Sequence, residues 1–215
     1  MMAQLTKATD GIVSRYINRK ISTRITMFIV KRRIRISPNQ VSILSFIIGI
    51  VSAVIYLFNN PLIAGIMVQI SSIVDGVDGE LARILKKTTR FGAFFDAILD
   101  RFVNIVIILC ISMYLSSLGI EPGLLLLSSV LALSGDLMVS YIHARGESSL
   151  GIHPARIGIM LNYASRDVRL FIIFIGSILE SLISKALLYT LIIIALLSYS
   201  YVVTKIIDAY RHIKE

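Results

Sequence analysis

The sequence predicts an all-α integral membrane protein, with six transmembrane helices preceded by an N-terminal amphipathic helix lying on the bilayer surface. Three observations carry this prediction. Apolar residues fill 56% of the 215 positions, charged residues only 16%, and mean hydropathy is +0.81. No charged residue occurs between Pro38 and Val74. The basic residues behind the net charge of +9 cluster in alternate connections. Soluble domains carry about a quarter charged residues, so the composition argues against a soluble enzyme, a disordered tail or a nucleic-acid module. The single cysteine, Cys110, excludes an intramolecular disulfide framework and a Cys-rich zinc site.

The elements follow in order. Residues 1–36 form the surface helix, because Ile12, Tyr16, Ile17, Ile21, Ile25, Phe28 and Ile29 recur at helical spacing within a basic segment; a solvated basic tail is the alternative. Residues 37–215 form one membrane domain. Its first span covers about 39–58. Asn59-Asn60-Pro61 breaks the uncharged run, and Pro61 suits the first turn of the second span. The stretch Phe102–Ile120, extended back to about Phe91, predicts the third span, and Glu121-Pro122-Gly123 the turn after it. Leu124 to about Arg145 is the fourth span and Ala186–Thr204 the last. Val168–Ile183 is counted as the fifth although it holds Arg169 and Glu180. With six spans both termini share one side. That side carries Lys31, Arg32, Arg33, Arg35, Lys86, Lys87, Arg90, Arg145, Arg156, Lys205, Arg211 and Lys214, against Lys185 opposite. Positive charge marks the cytoplasmic face, so both termini and the active site are expected there, in a multi-pass protein of the cell membrane.

The chemistry-bearing stretch runs from Asp75 to Asp100. Asp75 and Asp78 lie three residues apart on the second span, Asp96 and Asp100 four apart on the third, so each pair shares a helix face. A short turn through Lys86–Arg90 makes the two helices antiparallel, and four carboxylates converge. In low dielectric such a cluster calls for a hard divalent cation, Mg²⁺ or Mn²⁺. Arg83, about 7.5 Å of helix rise beyond Asp78, can meet an anion that the metal also touches. Gly79, Ala82 and Gly92 leave room for a ligand. The set describes a phosphate or diphosphate site. Buried ion pairing is the bland alternative, but four Asp against one Arg is poorly balanced for it; a carboxylate-lined cation transporter is the alternative of another class.

Asp75, Asp78, Gly79, Ala82, Arg83, Gly92, Asp96 and Asp100 meet every fixed position of D-x2-D-G-x2-A-R-x8-G-x3-D-x3-D, the signature of the CDP-alcohol phosphatidyltransferase family, which this chain resembles. Pro38-Asn39 resembles a pair often found at the first span of that family. The resemblance implies transfer of a substituted phosphoryl group from a CDP-alcohol to an acceptor hydroxyl, with release of CMP. It implies that Asp75, Asp78 and Asp96 bind metal, two Mg²⁺ or Mn²⁺ ions, and that Asp100 is the general base while also touching a metal. It also implies that Arg83 holds the diphosphate, that Gly79 and Ala82 line the cytidine end, that Gly92 and Asn39 belong to the same donor site, and that the protein is a homodimer.

The signature leaves the substrates open. Thr6–Arg24 and Ala164–Leu170 resemble the membrane domain of bifunctional inositol-phosphate cytidylyltransferase/di-myo-inositol-phosphate-phosphate synthases. That resemblance implies CDP-inositol as donor and inositol 1-phosphate as acceptor. The chain lacks their soluble cytidylyltransferase half, as either a free-standing version or an excised domain would; on the inositol reading the donor is expected to come from a separate protein. A phosphorylated polyol acceptor needs a basic pocket, for which Arg145, Arg166 and Arg169 are the candidates; their alternative role is topological charge. Asp136, mid-span, is expected to pair with such an arginine, and His143 and His153 are read as interfacial or loop residues. The runner-up function is a phospholipid synthase taking a CDP-lipid donor and inositol phosphate or glycerol phosphate.

Overall fold

The computed structural model describes residues 9–158 and 162–214. The first residues of the Thr6–Arg24 run, including Thr6 and Lys7, and the ends of the two domain ranges, residues 1–8 and Glu215, lie outside it. The described residues are helical with no strand. A π-helical turn, Ser14–Asn18, leads into α1 (Arg19–Lys31). Six longer-range elements follow: α2 (Pro38–Leu57), α3 (Pro61–Ile84), α4 (Arg90–Ser117), α5 (Pro122–Leu150), α6 (Arg166–Glu180) and α7 (Ala186–Lys214). Four of these, α2, α3, α5 and α7, are long and apolar enough to cross a membrane. α4 carries Asp96, Asp100 and Arg101 in its first half, and α6 has 15 residues, about 22 Å against a hydrocarbon core of about 30 Å.

Local chemistry sets the helix starts. Ser37 and Gln40 form a reciprocal cap at α2, with Gln40 N donating to Ser37 Oγ at 3.3 Å and Ser37 N to Gln40 Oε1 at 2.8 Å. Pro61 opens α3 behind Asn60, whose Oδ1 accepts from Ile63 N at 3.2 Å. Thr89 caps α4 by accepting from Gly92 N at 2.9 Å. Glu121 caps α5, and the N–H groups of Leu124 and Gly123 hold its carboxylate below the ordinary pKa. α5 continues past Arg145 to Leu150, and α7 continues past Thr204 to Lys214. In this extension Lys205 is buried, its Nζ donating to Ile157 O at 2.7 Å and pairing with Asp208 at 3.0 Å. A residue read as interfacial charge thus fastens the α5–α6 connection.

α2 packs against α3 and α4, α3 against α6, and α5 against α7. Tyr56, Val68, Ile107, Ile111, Leu115, Leu187 and Leu191 fill the shared core. Small residues let the helices close up: a Cβ on Gly49 would stand 2.6 Å from Val103 Cγ1 and 3.0 Å from Ser71 Oγ. Cys110 is buried and free among apolar neighbours. The small residues Ser112, Ser128 and Ala132 work within the chain: Ser112 Oγ donates to Ser129 Oγ at 2.7 Å, and Ser128 and Ala132 are buried. The connections α1–α2, α3–α4 and α5–α6, which carry Arg32, Arg33, Arg35, Lys86, Lys87 and Arg156, share one end of the bundle.

The π-helical turn and α1 together turn the apolar residues Tyr16, Ile17, Ile21 and Phe28 outward and bury a polar face, Asn18, Ser22 and Thr26. That face docks on α3. Glu80, fully buried, accepts from Arg19 Nη1 at 2.8 Å, Ser22 Oγ at 2.7 Å and Thr26 Oγ1 at 2.8 Å. Asn18 Nδ2 donates to Ser72 Oγ at 3.1 Å and Gln69 Nε2 to Asn18 Oδ1 at 2.8 Å.

Candidate active site

The expected α3–α4 hairpin does not pack as a pair: both helices lie against α2, and the carboxylates of the C-terminal half of α3 and the N-terminal half of α4 converge near the turn 85–89. One oxygen each from Asp75, Asp78 and Asp96 lies within 4.8 Å of the others. Asp78 is buried and is gripped by Ser42 Oγ of α2 and by the N–H of Gly79. The donor set fits a hard divalent cation. It is all oxygen, its three carboxylates are close enough to share a charge, and Asp75 Oδ1 is buried with no hydrogen-bond partner among the described residues.

Asp100, expected to be both base and ligand, stands outside that trio. Its Oδ1 lies 3.0 Å from Arg166 Nη1, which also meets Asp75 Oδ2 at 2.9 Å. Arg166, expected at the acceptor phosphate, therefore sits between two of the carboxylates, because a guanidinium with several donors bridges neighbouring anions. Its Nε donates to Asn104 Oδ1 at 3.3 Å. Asn104 Nδ2 donates in turn to Asp136 at 2.9 Å, and Asp136 pairs with Arg169 Nε at 2.6 Å. Arg169, 2% exposed, also donates to Ala164 O. Arg169 and Asp136 are thus a buried pair, as the mid-span position of Asp136 predicts. Arg145 is exposed on α5 and lines neither cavity described below.

Two cavities meet at Asp78, Gly79 and Asp96. The smaller, about 250 Å³, is lined by Asn39, Ser42, Gly79, Ala82, Arg83 and Gly92 together with Lys87 and Thr88. All five residues expected at the donor site border this one space. Gly92 is required by close approach, since a Cβ there would lie 2.9 Å from Thr89 Oγ1 and 3.3 Å from Asn39 Oδ1. The larger cavity, about 310 Å³, runs from Asp75 and Asp100 to α5 and the N-terminal turn. Arg101, Arg166, Arg169, His143, His153, Asn162 and Arg19 line it. His143 and His153 are not separate loop residues: their ring centroids are 4.4 Å apart, and His143 Nε2 lies 2.9 Å from Tyr201 Oη.

Several of these residues were not singled out by the sequence: Arg19, Glu80, Arg101, Asn104 and Asn162. Glu80 and Arg101 carry a usable signal, since each is a charge inside or beside the motif. Asn104 and Asn162 carry none, because a neutral amide gains its role from neighbours distant in the chain.

The profile of the CDP-alcohol phosphatidyltransferase family matches residues 35–207. The chain belongs to this family. It is a multi-pass membrane protein. Among similar proteins, the "Bifunctional IPC transferase and DIPP synthase" of Aquifex aeolicus is 38% identical over 86% of this chain and 41% of its own length. That of Archaeoglobus fulgidus is 35% identical over 92% of this chain and 39% of its own. The chain therefore spans about two fifths of these relatives. The archaetidylinositol phosphate synthase of Pyrococcus horikoshii is 32% identical over 83% of this chain and 86% of its own length. A structure of Mycobacterium tuberculosis phosphatidylinositol phosphate synthase with CDP-DAG bound shares the fold, with a TM-score of 0.74 at 23% identity over 89% of this chain and 94% of that one. The same protein has been solved in complex with manganese and citrate.

Proposed function

We propose that this transferase moves an inositol-phosphoryl group from CDP-inositol to a hydroxyl of inositol 1-phosphate, releasing CMP and forming di-myo-inositol phosphate phosphate. The observation that carries the two-substrate reading is the pair of cavities meeting at Asp78 and Asp96. The names of the bifunctional relatives support the inositol substrates. In this reading Arg83 holds the donor diphosphate in the smaller cavity, and Asn39, Gly79, Ala82 and Gly92 seat the cytidine end. The acceptor occupies the larger cavity. Asp100 takes the proton of its hydroxyl while the new P–O bond forms and the bond to CMP breaks. Asp75, Asp78 and Asp96, with Asp100 at their edge, hold two Mg²⁺ or Mn²⁺ ions, which supply charge neutralisation for the diphosphate and departing CMP.

All six helices α2–α7 span the bilayer in this reading, with both termini and the site facing the cytoplasm as charge asymmetry requires. α1 lies in the interface with its outward apolar face in lipid. The protein works as a homodimer and receives CDP-inositol from a separate cytidylyltransferase. A second reading is supported by the similarity to the archaetidylinositol phosphate synthase of P. horikoshii, 32% identical over 83% of this chain. There the donor is a CDP-lipid, and the acceptor is still inositol phosphate. The deciding experiment incubates purified protein with Mg²⁺, inositol 1-phosphate and either CDP-inositol or a CDP-diacylglycerol or CDP-archaeol donor. A product with the mass of di-myo-inositol phosphate phosphate supports the first reading, and a lipid-linked inositol phosphate the second. CMP release with neither donor sinks both.

A further inference from the structure

Arg101 follows Asp100 on α4 and reaches the larger cavity. Its Nε and Nη1 are buried and have no hydrogen-bond partner among the described residues. Burying guanidinium N–H groups without acceptors is costly, so such donors are kept where a ligand satisfies them. The neighbouring arginines are engaged. Arg166 bridges Asp75 and Asp100 and donates to Asn104, and Arg169 serves Asp136 and Ala164 O. Arg19 is held by Asp10, Glu80 and Gly76 O.

The same cavity also holds buried acceptors without partners. Asn162 Oδ1 and Ser165 Oγ are buried and unpaired among the described residues, and both residues line the cavity. Asn162 is anchored by its Nδ2, which donates to Thr9 O at 3.1 Å, leaving Oδ1 oriented by that bond. The cavity thus offers unpaired donors on a cation and, separately, unpaired oxygens. A bare anion leaves Asn162 Oδ1, which can only accept, without a donor, and a neutral sugar leaves the Arg101 charge uncompensated. A molecule carrying both an anionic phosphate and several hydroxyls satisfies both.

We propose that Arg101 is the ligand of the acceptor's phosphate and that Asn162 Oδ1 and Ser165 Oγ receive its ring hydroxyls, so that the larger cavity selects a polyol phosphomonoester. This rests on the larger cavity being the acceptor site. Arg101 would then set the distance between the acceptor and Asp100, its neighbour in the chain. Arg166 is left to hold Asp75 and Asp100 in register.

The test uses the full chain in lipid nanodiscs and reads both equilibrium binding and steady-state kinetics. Binding is measured by calorimetry with inositol 1-phosphate, inorganic phosphate and unphosphorylated inositol. Arg101→Gln is expected to weaken inositol 1-phosphate and inorganic phosphate by about tenfold or more, the loss of one charge-assisted contact, while the donor KM is unchanged. Asn162→Ala is expected to weaken inositol 1-phosphate but not inorganic phosphate. If Arg101→Gln does not fold, Arg101→Lys keeps the charge without the two-pronged geometry and should still raise the acceptor KM alone. Unchanged anion binding in the variant, or equal shifts of donor and acceptor KM, overturns the assignment. Two results separate it from the functional reading. If wild type binds inositol 1-phosphate through Arg101 but turns over no phosphorylated acceptor, the functional reading fails and the anion site stands. If wild type turns it over and Arg101→Gln leaves its KM unmoved, the reading stands and Arg101 is overturned.

Discussion

The two cavities that meet at Asp78 and Asp96 are assembled from different kinds of sequence. The smaller is a local structure. Gly79, Ala82, Arg83, Gly92 and Ala93 come from one helical hairpin, and only Pro38, Asn39 and Ser42 reach it from α2. The larger draws on the N-terminal turn, α3, α4, α5, the α5–α6 connection and α6. α3 and α4 barely touch each other, and α2, which packs against both, sets their spacing beside the short turn that joins them. The larger cavity holds its shape through long-range polar contacts. Asp167 Oδ2 accepts from Ser14 N at 2.5 Å, Asn162 meets Thr9 O, and Arg19 meets Glu80. One site is built for a constant chemistry, and the other can be retuned by altering contacts far from the motif.

The sharpest break falls where the cavities join. Asp75→Asn, Asp78→Asn or Asp96→Asn should each reduce CMP release by more than the 10- to 100-fold, roughly, that follows loss of a partner supporting a metal ligand. Chelation by EDTA should abolish turnover, and Mg²⁺ or Mn²⁺ should restore it. Activity that survives exhaustive chelation would remove the metal from the account. Asp100→Asn should lower kcat with less effect on donor binding, because a base acts chiefly in the chemical step.

Next in size is the anchor of the larger cavity. Arg19→Ala leaves Glu80 buried without its cation, and breaking such a pair costs about 3–5 kcal/mol. A drop in Tm should accompany a rise in acceptor KM, while donor affinity is retained. A fall in donor affinity of equal size would show that the two cavities are not independent.

Arg83→Ala probes the smaller cavity and should raise the donor KM about tenfold, the counterpart of a lost charge-assisted bond, with acceptor KM unmoved. The mildest change is to packing. Gly49→Ala forces Val103 aside and should cost about 1–3 kcal/mol, read as a lower Tm with both KM values intact.

Much of this could be read from the sequence. Eight motif residues within 26 positions specify the hairpin and its family, and the breaks at Asn59-Asn60-Pro61 and Glu121-Pro122-Gly123 locate helix ends to within a few residues. Helical periodicity and local capping are short-range effects, so residue order alone encodes them. Helices α5 and α7 run on beyond the predicted spans, because hydropathy stops at the first charges whereas a helix continues until capping or solvent ends it.

Only the tertiary structure decided what each arginine does. Arg145, Arg166 and Arg169 look alike in sequence, yet one is exposed, one bridges Asp75 and Asp100, and one is locked to Asp136. Arg101 stands outside the fixed positions of the motif, yet its Nε and Nη1 are buried without a hydrogen-bond partner among the described residues. The reason is physical. A charged side chain is defined by its partners, and in this bundle those partners sit on other helices. The motif fixed where charge accumulates, and helix packing determined which cations neutralise it and which remain for a ligand.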